Sequence, residues 1–270
     1  MPHDPGSDFR ALHKPGDPFI LANAWDAGSA KMLAALGAQA IATSSAAHAF
    51  TLGRPDGNVT RDEALAHAAD LVAATPLPVS GDFEDGFGEA PETCAETVRL
   101  AAEAGLAGIC IEDISSDTGK TYPADLSAER IRAAAAAARA LPKDFVLIAR
   151  ADGVLKGSYG MDEALARIRA FDAAGADGLY VPMPPDMAAL AEVVKATTKP
   201  VNALAAGPFA KVSRAEFAAI GIARISLGSA LARVTHRVIL DAAKAMFEAG
   251  DFTPLTQGAP GKKIDELLTG

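Results

Sequence analysis

The chain has 270 residues, half of them hydrophobic, and 34 acidic against 25 basic side chains give a net charge of −9. That balance excludes a general nucleic-acid-binding surface, and no uncharged apolar run reaches the ~18–20 residues needed to span a bilayer. Two cysteines without metal-type spacing, Cys94 and Cys110, and a polar, proline-broken start, "MPHDPGSDFRALHKPGDP", predict a cytoplasmic protein with reduced thiols.

Short apolar runs recur along the chain: "FILANAW" (19–25), "AIATSS" (40–45), "LPVSGDFE" (77–84), "GICIED" (108–113), "FVLIARAD" (145–152), "GLYVPM" (178–183), "PVNALA" (200–205) and "RISLGS" (224–229). Alanine-rich stretches of helical period separate them. In "MDEALARIRAFDAAGADG", Met161, Leu165, Ile168 and Phe171 share one helical face and Gly175 closes the helix. Continuous rather than alternating apolar strands predict a parallel sheet covered by helices. Eight such units fit a (β/α)8 barrel, which needs ~250 residues. The alternative, an open doubly wound sheet, lacks its glycine fingerprint, because the first turn reads "NAWDAGSAK". One barrel domain is expected over 1–270, with 251–270 as a C-terminal extension.

Polar residues cluster where such a barrel carries its site, at the C-terminal ends of strands. They are Trp25, Asp26, Ser44, Ser45, Asp82, Glu84, Glu112, Asp113, Arg150, Asp152, Asn202 and Ser226. Asp82 and Glu84, one residue apart, point to one side of a strand, Glu112 ends the next strand, and Asp56 lies in the loop after strand two. Crowded carboxylates repel unless they gather a cation or protons. With no His or Cys beside them, oxygen-only ligation selects Mg2+ or Mn2+ over Zn2+. Arg150, ending an apolar strand, either pairs with an acid such as Asp152 or clamps a substrate carboxylate. A metal and an arginine on one rim suit a small dianionic 2-oxo acid.

"TSSAAHAFTLGRPDGN", "GDFEDGFG", "GICIED" and "LIARADG" resemble, in order and spacing, the signatures of the isocitrate lyase/phosphoenolpyruvate mutase superfamily. The resemblance runs from about residue 18 to 230. It implies that Asp82 is the direct magnesium ligand and that Asp56, Glu84 and Glu112 act mainly through waters. Ser44, Ser45 and Ala46 would offer backbone amides to the substrate, Arg150 would hold its anionic group, and Asn202 falls near a substrate-contacting Asn of the lyase branch. Trp25 joins them as a substrate-binding candidate. The resemblance further implies a homotetramer that exchanges its last barrel helix, here "ALARVTHRVILDAAKAMFEAG" (230–250).

This chain departs from the pattern at several points. Glu84 stands where the family usually has Asp, and Ser45 where it commonly has Gly. The gating loop "ISSDTGKTYPADLS" has no cysteine, where the carbon–carbon lyases carry their acid/base Cys, and Pro182 replaces a strand-six Glu. Lys120 and Tyr122 are then the loop side chains left as proton donors. These features predict a branch without the lyase cysteine: a Mg2+-dependent enzyme acting on a 2-oxo acid or its enolate, by carbon–carbon cleavage such as oxaloacetate-like decarboxylation or hydrolysis. Phosphorus–carbon chemistry and a catalytically silent 2-oxo acid-binding barrel are the alternatives. Cys94, Cys110, His67 and His236 are read as packing or surface residues, His48 as following the Ser44–Ser45 turn, where it could face the mouth, with a catalytic role the lesser reading, and "SLGSALAR" as the turn into the final helix.

Overall fold

Each apolar run forms a strand: β1 (Phe19–Asn23), β2 (Ala40–Ala42), β3 (Val79–Asp82), β4 (Gly108–Glu112), β5 (Val146–Arg150), β6 (Gly178–Tyr180), β7 (Val201–Leu204) and β8 (Arg224–Ser226). In this computed structural model, which describes residues 4–269, all neighbours pair in parallel and β8 returns to β1, closing the barrel in sequence order. No helix among the described residues is long and apolar enough to cross a membrane.

Strand alternation divides the core in two. Ile41, Ile109, Ile111, Leu147, Leu179, Val201 and Ile225 face outward and pack under the helices. Phe19, Leu21, Ala40, Ala42, Cys110, Val146, Ile148 and Tyr180 face inward and fill the barrel with Phe9. Glycine opens β4 for a steric reason: a Cβ on Gly108 would stand 2.3 Å from the Val146 carbonyl oxygen.

Phe9 comes from a helix (Pro5–Leu12) that no apolar run announces. Proline in its first turn and the Asp4 side chain, accepting from Gly6 N, start it. Arg10 fastens it, reaching Asp144 at 2.6 Å and Asp177 at 2.7 Å. The opposite end of the chain behaves differently. The Ala230–Ala249 helix buries only Ala232 and Ala242, and Val234, Val238, Ile239, Leu240 and Phe247 are exposed. The chain then returns, and its Gly261–Thr269 helix packs against the Ala27–Ala35 helix.

Candidate active site

The acidic turn after β3 is sorted by backbone geometry. The strand ends at Asp82, and Glu84 and Phe87 take left-handed conformations (φ 46° and 64°) that L-residues rarely adopt. Arg130, 1 % exposed, holds the turn by donating to the carbonyls of Asp85 and Gly88. The Glu84 carbonyl accepts from Glu112 N at 2.8 Å, which ties the turn to β4. Asp85 then faces away from the barrel axis and accepts from Tyr122 Oη (2.7 Å), Ser116 Oγ (3.0 Å) and Phe87 N (3.0 Å). Asp82 and Glu84 remain on the cavity side.

That cavity, of about 360 Å³, opens at the C-terminal mouth of the barrel and is lined by Ser44, Ser45, Ala46, Asp56, Asp82, Glu84, Glu112 and Arg150 among others. Arg150 is its electrostatic centre. Nη1 donates to Asp82 Oδ1 at 2.9 Å, Nε and Nη2 fork onto Asp152 at 3.0 and 2.6 Å, and Glu112 lies 3.4 Å from Nη2. The second Asp82 oxygen accepts from both Ser45 N and Ser45 Oγ at 3.1 Å. Of the two roles open to Arg150 in the sequence, pairing with Asp152 is the one its fork performs here. The Ser45 amide, expected to meet substrate, is engaged by Asp82.

Three of the carboxyls around the cavity, Glu84, Glu112 and Asp56, resist ionisation. Burial pushes Glu84 up to about 7, with Asp82 and Asp56 adding to the shift and Ser116 opposing it. Glu112 is raised well above the usual carboxylate range by burial, against the pull of Arg150. Asp56 is raised by desolvation and by Asp82. Glu84 Oε1 is buried without a hydrogen-bond partner. An all-oxygen set with an orphaned, charge-crowded carboxylate suits a hard divalent cation. Even so, among the described residues no three acidic, histidine or cysteine side chains already converge as ligands, because Arg150 stands among them as the counter-charge.

Six of the expected residues do not line this cavity, Asp26 and Asp113 among them. Tyr122 is buried, its ring under Arg130 and its hydroxyl on Asp85, so it secures the loop from below. Lys120 is exposed on that loop, where its carbonyl accepts from Ser115 N. Trp25 gives its carbonyl to His67 Nε2 at 3.0 Å. Asn202 is enclosed, donating to Ser226 Oγ and accepting from Arg224 Nε. The loop itself is a pinned hairpin, with an Ile114–Thr121 bridge and Ser116 tied to Asp85.

Other residues take their places in the lining: Asn23, Ser80, Cys110, Ser116, Lys156 and Arg224. Cys110 Sγ lies 3.4 Å from Asp82 Oδ1, and burial pushes its thiol up to about 12, so it stays protonated. The readable signal for Arg224 was parity: it stands two residues before Ser226 on one strand and therefore faces the same interior. His48 is stacked on His67 with ring centres 3.7 Å apart, and Cys94 is fully buried against the acidic turn.

Residues 9–247 match the phosphoenolpyruvate phosphomutase family. An uncharacterised protein of Mycobacterium tuberculosis is 37 % identical over 223 residues, covering 82 % of this chain and 81 % of its own. The 2-methylisocitrate lyase of Escherichia coli K12 is 32 % identical over 210 residues, 74 % of this chain and 70 % of its own. A Burkholderia cenocepacia J2315 protein classed as a lyase/mutase superposes with a TM-score of 0.93 at 46 % identity, over 98 % of this chain and 95 % of that one. With its barrel, rim and near-complete match, the chain belongs to the phosphoenolpyruvate phosphomutase family, within the isocitrate lyase/phosphoenolpyruvate mutase superfamily.

Proposed function

We propose that this protein is a Mg2+-dependent lyase that cleaves a carbon–carbon bond in a small 2-oxo acid or a related substituted malate. The carrying observation is the convergence of Asp56, Asp82, Glu84 and Glu112 with Arg150 on one cavity. Asp82 would hold the metal directly, with Glu84, Glu112 and Asp56 around it; Mn2+ satisfies the same donors. When bound, the metal supplies Lewis-acid polarisation of the oxo group and charge neutralisation.

The chain's own groups do the rest. Arg150 would present Nη1 to the substrate while its fork on Asp152 keeps its plane fixed. Ser44, Ser45 and Ala46 border the carboxylate end. In decarboxylation of a 2-oxo acid the bonding electron pair stays on the 2-oxo fragment as its enolate. In a substituted malate the deprotonated 2-hydroxyl becomes the 2-oxo group and the pair leaves with the other carboxylate fragment. In either case the fragment that keeps the pair takes a proton. Lys156 at the mouth and Ser116 on the loop line the cavity and would make that transfer; Tyr122 and Lys120 do not line it. The hairpin at 114–121 covers one side and limits water.

One observation favours a second reading: the Arg150–Asp82 pair already neutralises the carboxylate set, as it would in a barrel that binds a 2-oxo acid without turnover. Incubating the protein with oxaloacetate, phosphonopyruvate, 2-methylisocitrate and substituted malates, with and without Mg2+, separates the readings. Metal-dependent release of pyruvate or another 2-oxo acid from a carbon substrate supports the lyase. Turnover of phosphonopyruvate alone replaces it with phosphorus–carbon chemistry, and binding without turnover across the set leaves the binder.

A further inference from the structure

Arg224 opens β8 inside the barrel, 3 % exposed, and lines the same cavity as the carboxylates. Its Nε donates to Asn202 Oδ1 at 2.8 Å, and Asn202 is held by its own bond to Ser226 Oγ at 2.9 Å. The guanidinium is thus aimed by two neutral side chains. Nη1 is buried without a hydrogen-bond partner, and among the described residues no carboxylate forms an ion pair with the group. Burial lowers it only to about 10, so it remains a cation at neutral pH. An enclosed cation without an acid is costly, and a protein that keeps one generally has a use for the charge.

Arg150 makes the contrast. Its Nε and Nη2 are committed to Asp152 and its Nη1 to Asp82. Arg224 has donors free where Arg150 does not. Cys110 and Tyr180 interact with the charges of both arginines, and Ser80 and Ser226 line the same cavity. The volume of about 360 Å³ falls within the ~300–1,000 Å³ usual for small-molecule sites.

We propose that Arg224 is a specificity-determining anion anchor that receives the second carboxylate of the substrate inside the barrel, which makes the substrate a small dicarboxylate. This rests on reading the cavity as a 2-oxo acid site. One carboxylate and the oxo group lie at the Asp82 end, and the other carboxylate accepts from the guanidinium of Arg224. Shorter monocarboxylates leave that cation unpaired and bind less well. His13 offers the competing account. Its Nε2 is also buried without a partner, and the charge of Arg224 acts on it, so one water shared by the two groups would satisfy both without any ligand.

Calorimetry with succinate and butyrate, and with oxalate plus Mg2+, tests this on the native protein, Arg224→Met and Arg224→Lys, with thermal unfolding alongside. The native protein is expected to bind succinate about tenfold or more tighter than butyrate, Arg224→Met to lose that preference, and Arg224→Lys to keep part of it. Arg224→Met should still bind oxalate with Mg2+ within about threefold of native, and should unfold at the native temperature or above, because a buried unpaired charge has been removed. A succinate preference that survives in Arg224→Met, or one absent from the native protein, overturns the proposal; with a lowered unfolding temperature, survival points to the shared water. Should Arg224→Met fail to fold, Arg224→Lys decides, since an undiminished preference there means a carboxylate is not held by the planar fork. If oxalate does not bind with Mg2+ but Arg224→Met still loses the succinate preference, the metal-site reading fails and the anchor stands.

Discussion

Arg150 and Asp152 form a two-point ion pair, 3.0 and 2.6 Å long, in which the acid is wholly enclosed and the base reaches the cavity. The pair fixes the plane of the guanidinium before any ligand arrives. It also makes the arginine a stability residue. Arg150→Met leaves Asp152 buried and uncompensated, and is expected to destabilise the fold by about 3–5 kcal/mol. Arg150→Met combined with Asp152→Asn should recover a large part of that loss. Urea unfolding midpoints measure both, and a single variant as stable as the native protein would show that the pair contributes nothing.

Asp82 is bound by Arg150, by Ser45 twice and weakly by Cys110. Asp82→Asn keeps the size and several of these contacts while removing the charge. Mg2+ affinity and Mg2+-dependent turnover should fall by about 10²-fold or more, with little change in unfolding temperature. Titration calorimetry with Mg2+ gives the first quantity directly. Unchanged metal affinity in this variant would mean that the carboxylates at the rim are not the metal site.

The barrel was legible because eight short, largely apolar runs alternate with alanine-rich stretches of helical period, and most of the runs end in polar residues. The cavity lining was legible where it obeys strand parity: Asp82, Glu112 and Arg150 all face the interior from strand ends. Glu84 reaches the same cavity for a different reason, since its left-handed backbone takes it out of the strand before parity can act. Tyr122 and Asn202 misled because a loop or strand position does not reveal which buried acid or amide a side chain will meet. Asp85 and Arg224, far away in sequence, decide those two. The Pro5–Leu12 plug was hidden by its polar composition, as only Gly6 and Phe9 are buried and Phe9 is its one buried apolar side chain.

Neither cysteine has the environment of a nucleophile. Burial pushes the Cys94 thiol up to about 11 and the Cys110 thiol to about 12, and both are enclosed. Cys94→Ala and Cys110→Ala should each leave turnover within a few-fold, and iodoacetamide at neutral pH should not inactivate the native protein. Tyr122→Phe strands an acceptor on Asp85 and should loosen the loop, raising KM more than it lowers kcat. A kcat loss of about 10²-fold with unchanged KM would return Tyr122 to the chemistry.

Acid should weaken the fold through His13. Burial, with Arg224 next in effect, lowers its pKa from 6.5 to about 3. The unfolded chain therefore binds a proton that the folded one refuses between those values. The sign is that stability is full above 6.5 and falls as pH drops through the window, by about 2 kcal/mol for this group at about pH 5. His67, lowered to about 4 by burial and by His48, adds in the same direction. Urea midpoints from pH 7 to 5 should fall less steeply in His13→Phe than in the native protein. Parallel slopes would remove His13 from the account.

The last barrel helix, Ala230–Ala249, makes the strongest case for association. Twenty residues long, it buries two alanines and leaves Val238 at 63 %, Leu240 at 65 % and Phe247 at 85 % exposure. A helix with so little of its own barrel against it gains stability only when its apolar side chains leave water, at about 25 cal/mol per Å². Phe252 and Leu255, just beyond, extend the same exposed surface. We expect this segment to lie on a neighbouring barrel, giving an oligomer of paired subunits and, by the family pattern, a tetramer. Light scattering at micromolar concentration should report a mass several times that of one chain. Val238→Asp together with Phe247→Asp should shift it towards the monomer and lower the unfolding temperature. A native protein that is monomeric under these conditions, with unfolding independent of concentration, would rule the exchange out.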